Sequence, residues 1–207
     1  GNGTLNLTNN NTYSGGTTIT GGTLSIPGSL AGGSDMPLGT GSLTIDGATV
    51  QLSRSTVTND IIVTTGTITS GNSFGSTVSS NIEVSGTLTT LSNNGQGNIA
   101  YTGDISGTGG ILHLGTRQDT HTYLSGTNTY EGATTLGTNA TLRIVNRVSL
   151  YNGDTAKWTA DNLTVQTGAT LIFNVGGALE FTSSDISVLT ALGTTTGGFA
   201  DGSYIGF

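Results

Sequence analysis

The sequence predicts an all-β fold, a right-handed parallel β-helix (β-solenoid) of about ten coils. Two observations lead to this prediction. A 16-residue segment recurs 117 positions later, and pairs of apolar residues separated by one residue return about every 19 residues. A single coil cannot bury its own apolar face, so we expect the coils to stack around one continuous core. Crossovers between parallel strands are nearly always right-handed, which sets the expected handedness.

The recurring segment spans Asn11–Ile26 in its first copy and Asn128–Ile144 in its second, which has one inserted residue. Both copies begin Asn-Thr-Tyr, and a glycine stands two residues after each tyrosine. Similarity at a fixed offset is typical of stacked repeats. We therefore expect Tyr13 and Tyr130 to occupy equivalent positions, each followed by a bend at the glycine.

The apolar pairs predict the core, because side chains alternate between the two faces of a strand. Leu112 and Leu114 form such a pair inside the one long gap in the series. No segment shows a sustained helical period, and Gly-Thr, Gly-Gly and Ser-Gly pairs between the apolar pairs predict turns. The residues that we expect to face inward are Leu5, Leu7, Leu24, Ile26, Leu43, Ile45, Ile82, Val84, Leu142, Ile144, Leu163 and Val165.

Near the carboxyl end, the sequence predicts one short helix over Ser184 to Leu192. Ser184 is a suitable N-cap, Asp185 suits the positive end of the helix, and Gly193 suits its end. We expect residues 183–207 to cap the core. The domain prediction is a single solenoid over residues 1–207.

Composition narrows the possible partners. The chain has 207 residues, only 8% of them charged, and a net charge of −7, with five scattered Lys and Arg residues and no basic stripe to bind phosphates. Nucleic-acid binding is therefore not expected. No apolar stretch approaches the roughly 18 residues of a membrane-spanning helix. Abundant threonine suits outward strand faces, where hydroxyls of successive coils can form ladders.

The two repeat copies resemble the passenger-associated transport repeat of bacterial autotransporters, also called the autotransporter-associated β-strand repeat. The resemblance covers two stretches, residues 3–26 and residues 110–144. In the second stretch, Arg117–His121 interrupts it. It implies a secreted or cell-surface β-helix of bacterial origin, and it brings no catalytic residues. The predicted localisation is therefore extracellular or on the bacterial cell surface.

The sequence offers few candidates for chemistry. His113, Asp119 and His121 are weak candidates for a metal site, because residues one coil apart can face each other. The acids are widely spaced and mostly stand beside turn residues, so the paired carboxylates of a glycosidase are not apparent. Trp158 could stack a sugar ring, although a lone tryptophan more often covers the core. We predict no enzymatic activity, no resident metal and no cofactor.

Three functions stay open at this point. The first is a structural or adhesive module that contacts surface glycans or other host or abiotic surfaces. The second is a self-assembling subunit of an extracellular filament or sheath, since an unpaired strand edge is a template for another chain. The third is a β-helix that binds or cleaves polysaccharide. The residues predicted to contact a second copy are Leu5, Leu7, Leu179, Phe181, Phe199, Tyr204 and Phe207.

Overall fold

A computed structural model describes residues 1–28, 37–71, 75–92, 97–115, 121–193 and 197–207. Strands dominate these residues, with three short 3-10 helices and one α-helix, α1, at Ser183–Thr190. The 3-10 helices are Arg147–Ser149, Tyr151–Gly153 and Thr155–Lys157. The strands are β1 Thr4–Asn6, β2 Thr17–Ile19, β3 Thr23–Pro27, β4 Leu43–Ser53, β5 Thr56–Val57, β6 Ile61–Ser70, β7 Ser76–Val78, β8 Ile82–Ser92, β9 Ile99–Tyr101, β10 Ile105–Ser106, β11 Gly110–Gly115, β12 Thr122–Leu124, β13 Thr134–Leu136, β14 Thr141–Ile144, β15 Leu163–Val165, β16 Thr170–Phe173, β17 Gly198–Phe199 and β18 Tyr204–Gly206.

The strands form two long parallel sheets. In the first sheet the order is β1-β3-β4-β6-β8-β11-β13-β15-β17, with β2 paired to β4 and β10 paired to β8. In the second sheet the order is β18-β16-β14-β12-β9-β7-β5. Since strands that are distant in sequence lie side by side in parallel, each turn of the chain stacks on the previous one. The parallel β-solenoid is confirmed, and its handedness stays a prediction.

One inward column shows how the coils stack. Each residue in this column is the register partner of the next, and nine strands contribute one residue each. The interval between partners varies from 18 residues, between Val50 and Ile68, to 34 residues, between Val165 and Phe199. The column consists of Leu5, Leu24, Val50, Ile68, Thr90, His113, Leu136, Val165 and Phe199.

The predicted 19-residue interval is therefore not the length of a coil. A coil places strands in up to three positions, two in the first sheet and one in the second. Ile82 and Val84 lie on β8 of the first sheet, whereas the next apolar pair, Ile99 and Tyr101, lies on β9 of the second sheet. Successive apolar pairs along the chain thus lie on different faces of the solenoid. The 19-residue interval is therefore an average over steps between different faces.

The predicted core is confirmed in its interior and differs at its amino-terminal end. From Leu24 to Val165, every residue predicted to face inward is at most 1% exposed. Leu5 is 57% exposed and Leu7 is only partly buried, because β1 is the first strand and no described coil covers its outer side. Leu112 and Leu114 are also placed differently from the prediction. They face outward and are half-buried, and His113 between them faces the core.

The two repeat copies share local geometry but not their place in the coil. The Tyr13 hydroxyl lies 2.8 Å from Thr17 Oγ1, and the Tyr130 hydroxyl lies 2.6 Å from Thr134 Oγ1. A bend follows each tyrosine at the predicted glycine. However, β3 of the first copy belongs to the first sheet and β14 of the second copy belongs to the second sheet. The second copy is therefore advanced by one strand position around the coil, and Tyr130 is buried where Tyr13 is 38% exposed.

The carboxyl-terminal part adds a helical cover and then further strands. Helix α1 buries Leu189, which joins the core cluster that includes Trp158, Phe173 and Phe181. Its N-cap is Thr182, not the predicted Ser184, since the Thr182 side chain accepts a hydrogen bond from the Asp185 backbone N–H. After the helix, β17 pairs with β15 and β18 pairs with β16, so both sheets continue to the end of the chain. No helix among the described residues is long and apolar enough to cross a membrane.

Candidate functional site

The interior of the solenoid contains a polar group that sequence reasoning did not place there. His113 is fully buried, and its Nε2 lies 3.1 Å from the Thr141 carbonyl oxygen. Because a carbonyl oxygen only accepts, Nε2 carries the proton and donates. Nδ1 also lies 3.2 Å from a carbonyl oxygen, that of Thr90, but it alone has a hydroxyl beside it, Thr90 Oγ1 at 2.7 Å, from which it accepts in the neutral ring. Burial lowers the pKa of His113 to about 4, although the hydrogen bonds that the charged ring can donate to the Thr141 and Thr90 carbonyls oppose that shift.

Other hydroxyls pair inside the solenoid. Ser92 Oγ lies 2.8 Å from Thr122 Oγ1, which joins the end of β8 to the start of β12. Ser55 Oγ donates to the Ile26 carbonyl at 3.0 Å, and the Ser55 backbone N–H donates to Ser76 Oγ at 3.3 Å. Buried hydroxyls require such partners, since an unpaired polar group loses its hydration without compensation. These contacts indicate a structural role for the polar interior.

The metal candidates are not brought together by what the structure describes. Both ring nitrogens of His113 are hydrogen-bonded within the core. His121 precedes β12, and its Nδ1 lies 3.4 Å from the Tyr123 hydroxyl. Asp119 lies outside the described residues, so the trio as a whole stays a prediction. Among the residues that the structure does describe, no group of three or more His, Cys, Asp and Glu could hold a metal ion.

The aromatic candidates around Trp158 belong to the core. Trp158 is buried, its indole N–H donates to the Leu150 carbonyl at 3.2 Å, and its ring lies 5.6 Å from that of Phe181. Phe181 in turn packs edge-on against Phe173 at 4.7 Å. Phe181 is fully buried, so its predicted role as an exposed contact residue does not agree with its position. Trp158 is likewise too enclosed to stack an external sugar ring.

Tyr151 has an unusual backbone that the sequence did not indicate. Its φ of 51° lies in the left-handed region and is followed by φ values of 53° at Asn152 and 69° at Gly153. A bulky residue rarely adopts this conformation without support from its surroundings. Support comes from its buried hydroxyl, which lies 2.7 Å from the Asn162 carbonyl and 2.9 Å from Thr134 Oγ1. Burial raises the pKa of Tyr151 to about 12, so the hydroxyl stays protonated as a structural donor.

The remaining self-association candidates lie near the last strands. Leu179 and Phe207 are each 70% exposed and Tyr204 is 57% exposed, while Phe199 is partly buried against the core. A small, mainly apolar cavity of about 180 Å³ lies beside these strands. It is lined by Thr190, Gly193, Phe199, Ser203 and Ile205. In the described part of the chain, β17 and β18 each have a partner strand on one side only.

Arg147 makes an ion pair that the sequence analysis missed. Its Nε lies 3.1 Å from both carboxylate oxygens of Asp185, and its guanidinium carbon lies 5.1 Å from the centre of the Trp158 ring. Burial alone would raise the pKa of Asp185, but hydrogen bonds from Thr182 and the Arg147 guanidinium outweigh this effect and hold that pKa below its usual value. Arg147 and Asp185 are 38 residues apart in the sequence, so no local sequence pattern indicated this contact.

Comparison with known proteins identifies the repeat but no whole-chain relative. Two stretches, residues 1–26 and 122–144, match the family model of the passenger-associated transport repeat. No curated protein and no solved structure matches the chain. The predicted resemblance is confirmed, and the second match begins after the interruption at Arg117–His121. The chain therefore resembles autotransporter passengers in these two repeat copies, and its architecture is a parallel β-solenoid.

Proposed function

We propose that this chain is a non-enzymatic structural or adhesive segment of a bacterial protein that is secreted or displayed on the cell surface. The main support is that both copies of a passenger repeat are built into one stack of parallel coils. Each copy contributes its tyrosine–threonine hydrogen bond and an apolar strand to that stack. His113 and the Trp158 cluster are buried, and the ring nitrogens of His113 and Trp158 are hydrogen-bonded within the core, which also favours a scaffold.

The outer face of the first sheet suits weak contacts with another surface. One outward-facing column of register partners, here called the threonine ladder, consists of threonines except for Leu112. Its members from Thr23 onward are half-buried. Each threonine offers a methyl group and a hydroxyl at the regular spacing of parallel strands, about 4.8 Å. The ladder consists of Thr4, Thr23, Thr49, Thr67, Thr89, Leu112, Thr135 and Thr164.

Electron microscopy with sedimentation velocity tests the scaffold. We expect the purified chain to give dispersed short rods and a single sedimenting species close to its mass of 20.7 kDa. In a parallel assay, polysaccharides incubated with the protein should release no new reducing ends. Catalytic release of reducing ends, abolished by heating the protein, would contradict the non-enzymatic role.

A filament subunit is the second candidate function. It is favoured by the edges of β17 and β18, each of which has one side without a partner strand among the described residues, and by the exposed rings of Tyr204 and Phe207. Under this alternative, microscopy would show fibres whose width is that of the coil stack. A double variant, Tyr204→Ser with Phe207→Ser, should then shorten the fibres, while the control Val148→Ser, at an exposed position elsewhere, should not. A monomer at high protein concentration would exclude the filament.

A further inference from the structure

The outer face of the second sheet carries a column in which an aromatic ring and a guanidinium are stacked. Tyr123 on β12 is the register partner of Ala100 on one side and of Arg143 on the other, and Arg143 is followed by Ile172. The guanidinium carbon of Arg143 lies 5.9 Å from the centre of the Tyr123 ring. Side chains on adjacent parallel strands are held about 4.8 Å apart, so the backbone itself sets this pair.

His121 flanks the same tyrosine. The two rings are 6.0 Å apart and inclined by 57°, and the tyrosine hydroxyl reaches the imidazole Nδ1 at 3.4 Å. All three side chains are half-buried, so they are held by their neighbours yet reach the surface. On its other side, Tyr123 is next to the small side chain of Ala100.

Arg143 has no counter-charge in the described part of the chain. Arg147 binds Asp185, but no carboxylate there pairs with Arg143, and Arg143 Nε is enclosed without a hydrogen-bond partner. This is notable in a protein with a net charge of −7, where acids outnumber Lys and Arg by 12 to 5. A guanidinium fixed by stacking is prepared for a bidentate contact with a carboxylate.

We propose that Tyr123 and Arg143, flanked by His121, form a binding site for an acidic sugar, that is, a pyranose ring carrying a carboxylate. The guanidinium binds the carboxylate, and the tyrosine ring packs against the apolar face of the sugar. A simple anion would use the guanidinium alone and gain nothing from the ring. A nucleic acid would require several cations along a groove, and the column supplies one. This site adds a ligand to the scaffold role and does not depend on it.

Titration with a galacturonic acid trimer, followed by NMR of the amides and by calorimetry, tests the site. We expect saturable binding, with amide shifts centred on β12 and β14, and at least a tenfold weaker response to the neutral galactose trimer. Arg143→Gln and Tyr123→Leu should each weaken binding about tenfold, the scale of one lost charge-assisted or stacking contact. Tyr123→Phe, which retains the ring, and Lys157→Gln, which removes a cation elsewhere, should each stay within about twofold.

Several outcomes would overturn the proposal. They are equal binding of the acidic and neutral trimers, equal losses in Arg143→Gln and Lys157→Gln, or amide shifts that map away from these two strands. Should Arg143→Gln fail to fold, the shift map of the unaltered protein still decides the location of the site. These results are independent of the rods or fibres seen by microscopy, so failure here leaves the scaffold role standing.

Discussion

At the scale of single residues, His113 illustrates what alternation can and cannot predict. The segment Ile111–Leu114 has apolar residues at both parities, so the pattern alone leaves the direction of each side chain open. Favouring Leu112 and Leu114 as the inward pair was wrong. Ile111 and His113 face the core because they continue columns set by β8 and β13. That information lies in residues more than 20 positions away along the chain.

Stability should depend on pH through His113. Its pKa is about 6.5 in the unfolded chain and about 4 in the folded protein. Between these values the unfolded chain binds more protons, so stability is complete above pH 6.5 and decreases as the pH falls toward 4. Between pH 7.5 and pH 5 we expect a loss of about 2 kcal/mol, measured by urea denaturation.

A His113→Gln variant is the control for this pH dependence. Glutamine can still donate to the Thr141 carbonyl but does not titrate. The variant should be less stable than the unaltered protein at pH 7.5, yet lose much less stability between pH 7.5 and pH 5. An unchanged pH dependence in the variant would show that His113 is not its source.

Substitution of a core leucine should lower the free energy of unfolding much more than substitution of an exposed leucine. Leu142 is fully buried between the register partners Thr122 and Leu171, so Leu142→Ala should cost about 2–5 kcal/mol of unfolding free energy. Leu179→Ala makes the same chemical change at a 70% exposed site and should cost at most about 0.5 kcal/mol. Similar losses for the two variants in chemical denaturation would contradict the assigned core.

At the scale of elements, helix α1 was predictable in kind and nearly in position. The sequence indicated Ser184 to Leu192, and the helix spans Ser183–Thr190. The cap was misplaced by two residues because Thr182 and Ser184 are both good N-cap types. The choice depends on Asp185, whose carboxylate accepts from the Thr182 backbone N–H at 2.9 Å and completes the capping box.

Removing the cap should destabilise the helical cover. Thr182→Ala deletes the hydroxyl that accepts from the Asp185 backbone and should cost about 0.5–2 kcal/mol. Ser183→Ala, an exposed change one residue later, is the matched control and should be close to neutral. Hydrogen exchange of the helix amides would localise the effect. Equal protection of the helix amides from exchange in both variants would show that Thr182 is not the N-cap.

At the scale of the whole molecule, the repeat predicted the architecture but not the register. Self-similarity between the copies indicated stacked coils, and the two parallel sheets agree. The coil lengths were not predictable from the apolar pairs, because the coil at the 3-10 helices and the one at α1 contain extra residues between strands. In that region the sequence interval grows to 29 residues between Leu136 and Val165. The outward pair Tyr123 and Arg143 also emerges only from the register.

Disulfide trapping can establish whether the parallel coils stack in this register, because the chain has no cysteine of its own. Thr67 and Thr89 are register partners, so their α-carbons should lie about 4.8 Å apart, within the range that a disulfide spans. Thr67→Cys with Thr89→Cys should therefore oxidise readily in the folded protein. Thr67→Cys with Thr87→Cys, displaced by two residues along β8, should oxidise far more slowly, because that pair lies beyond about 7 Å. Faster disulfide formation in the second pair, or none in the first, would contradict this stacking of the coils.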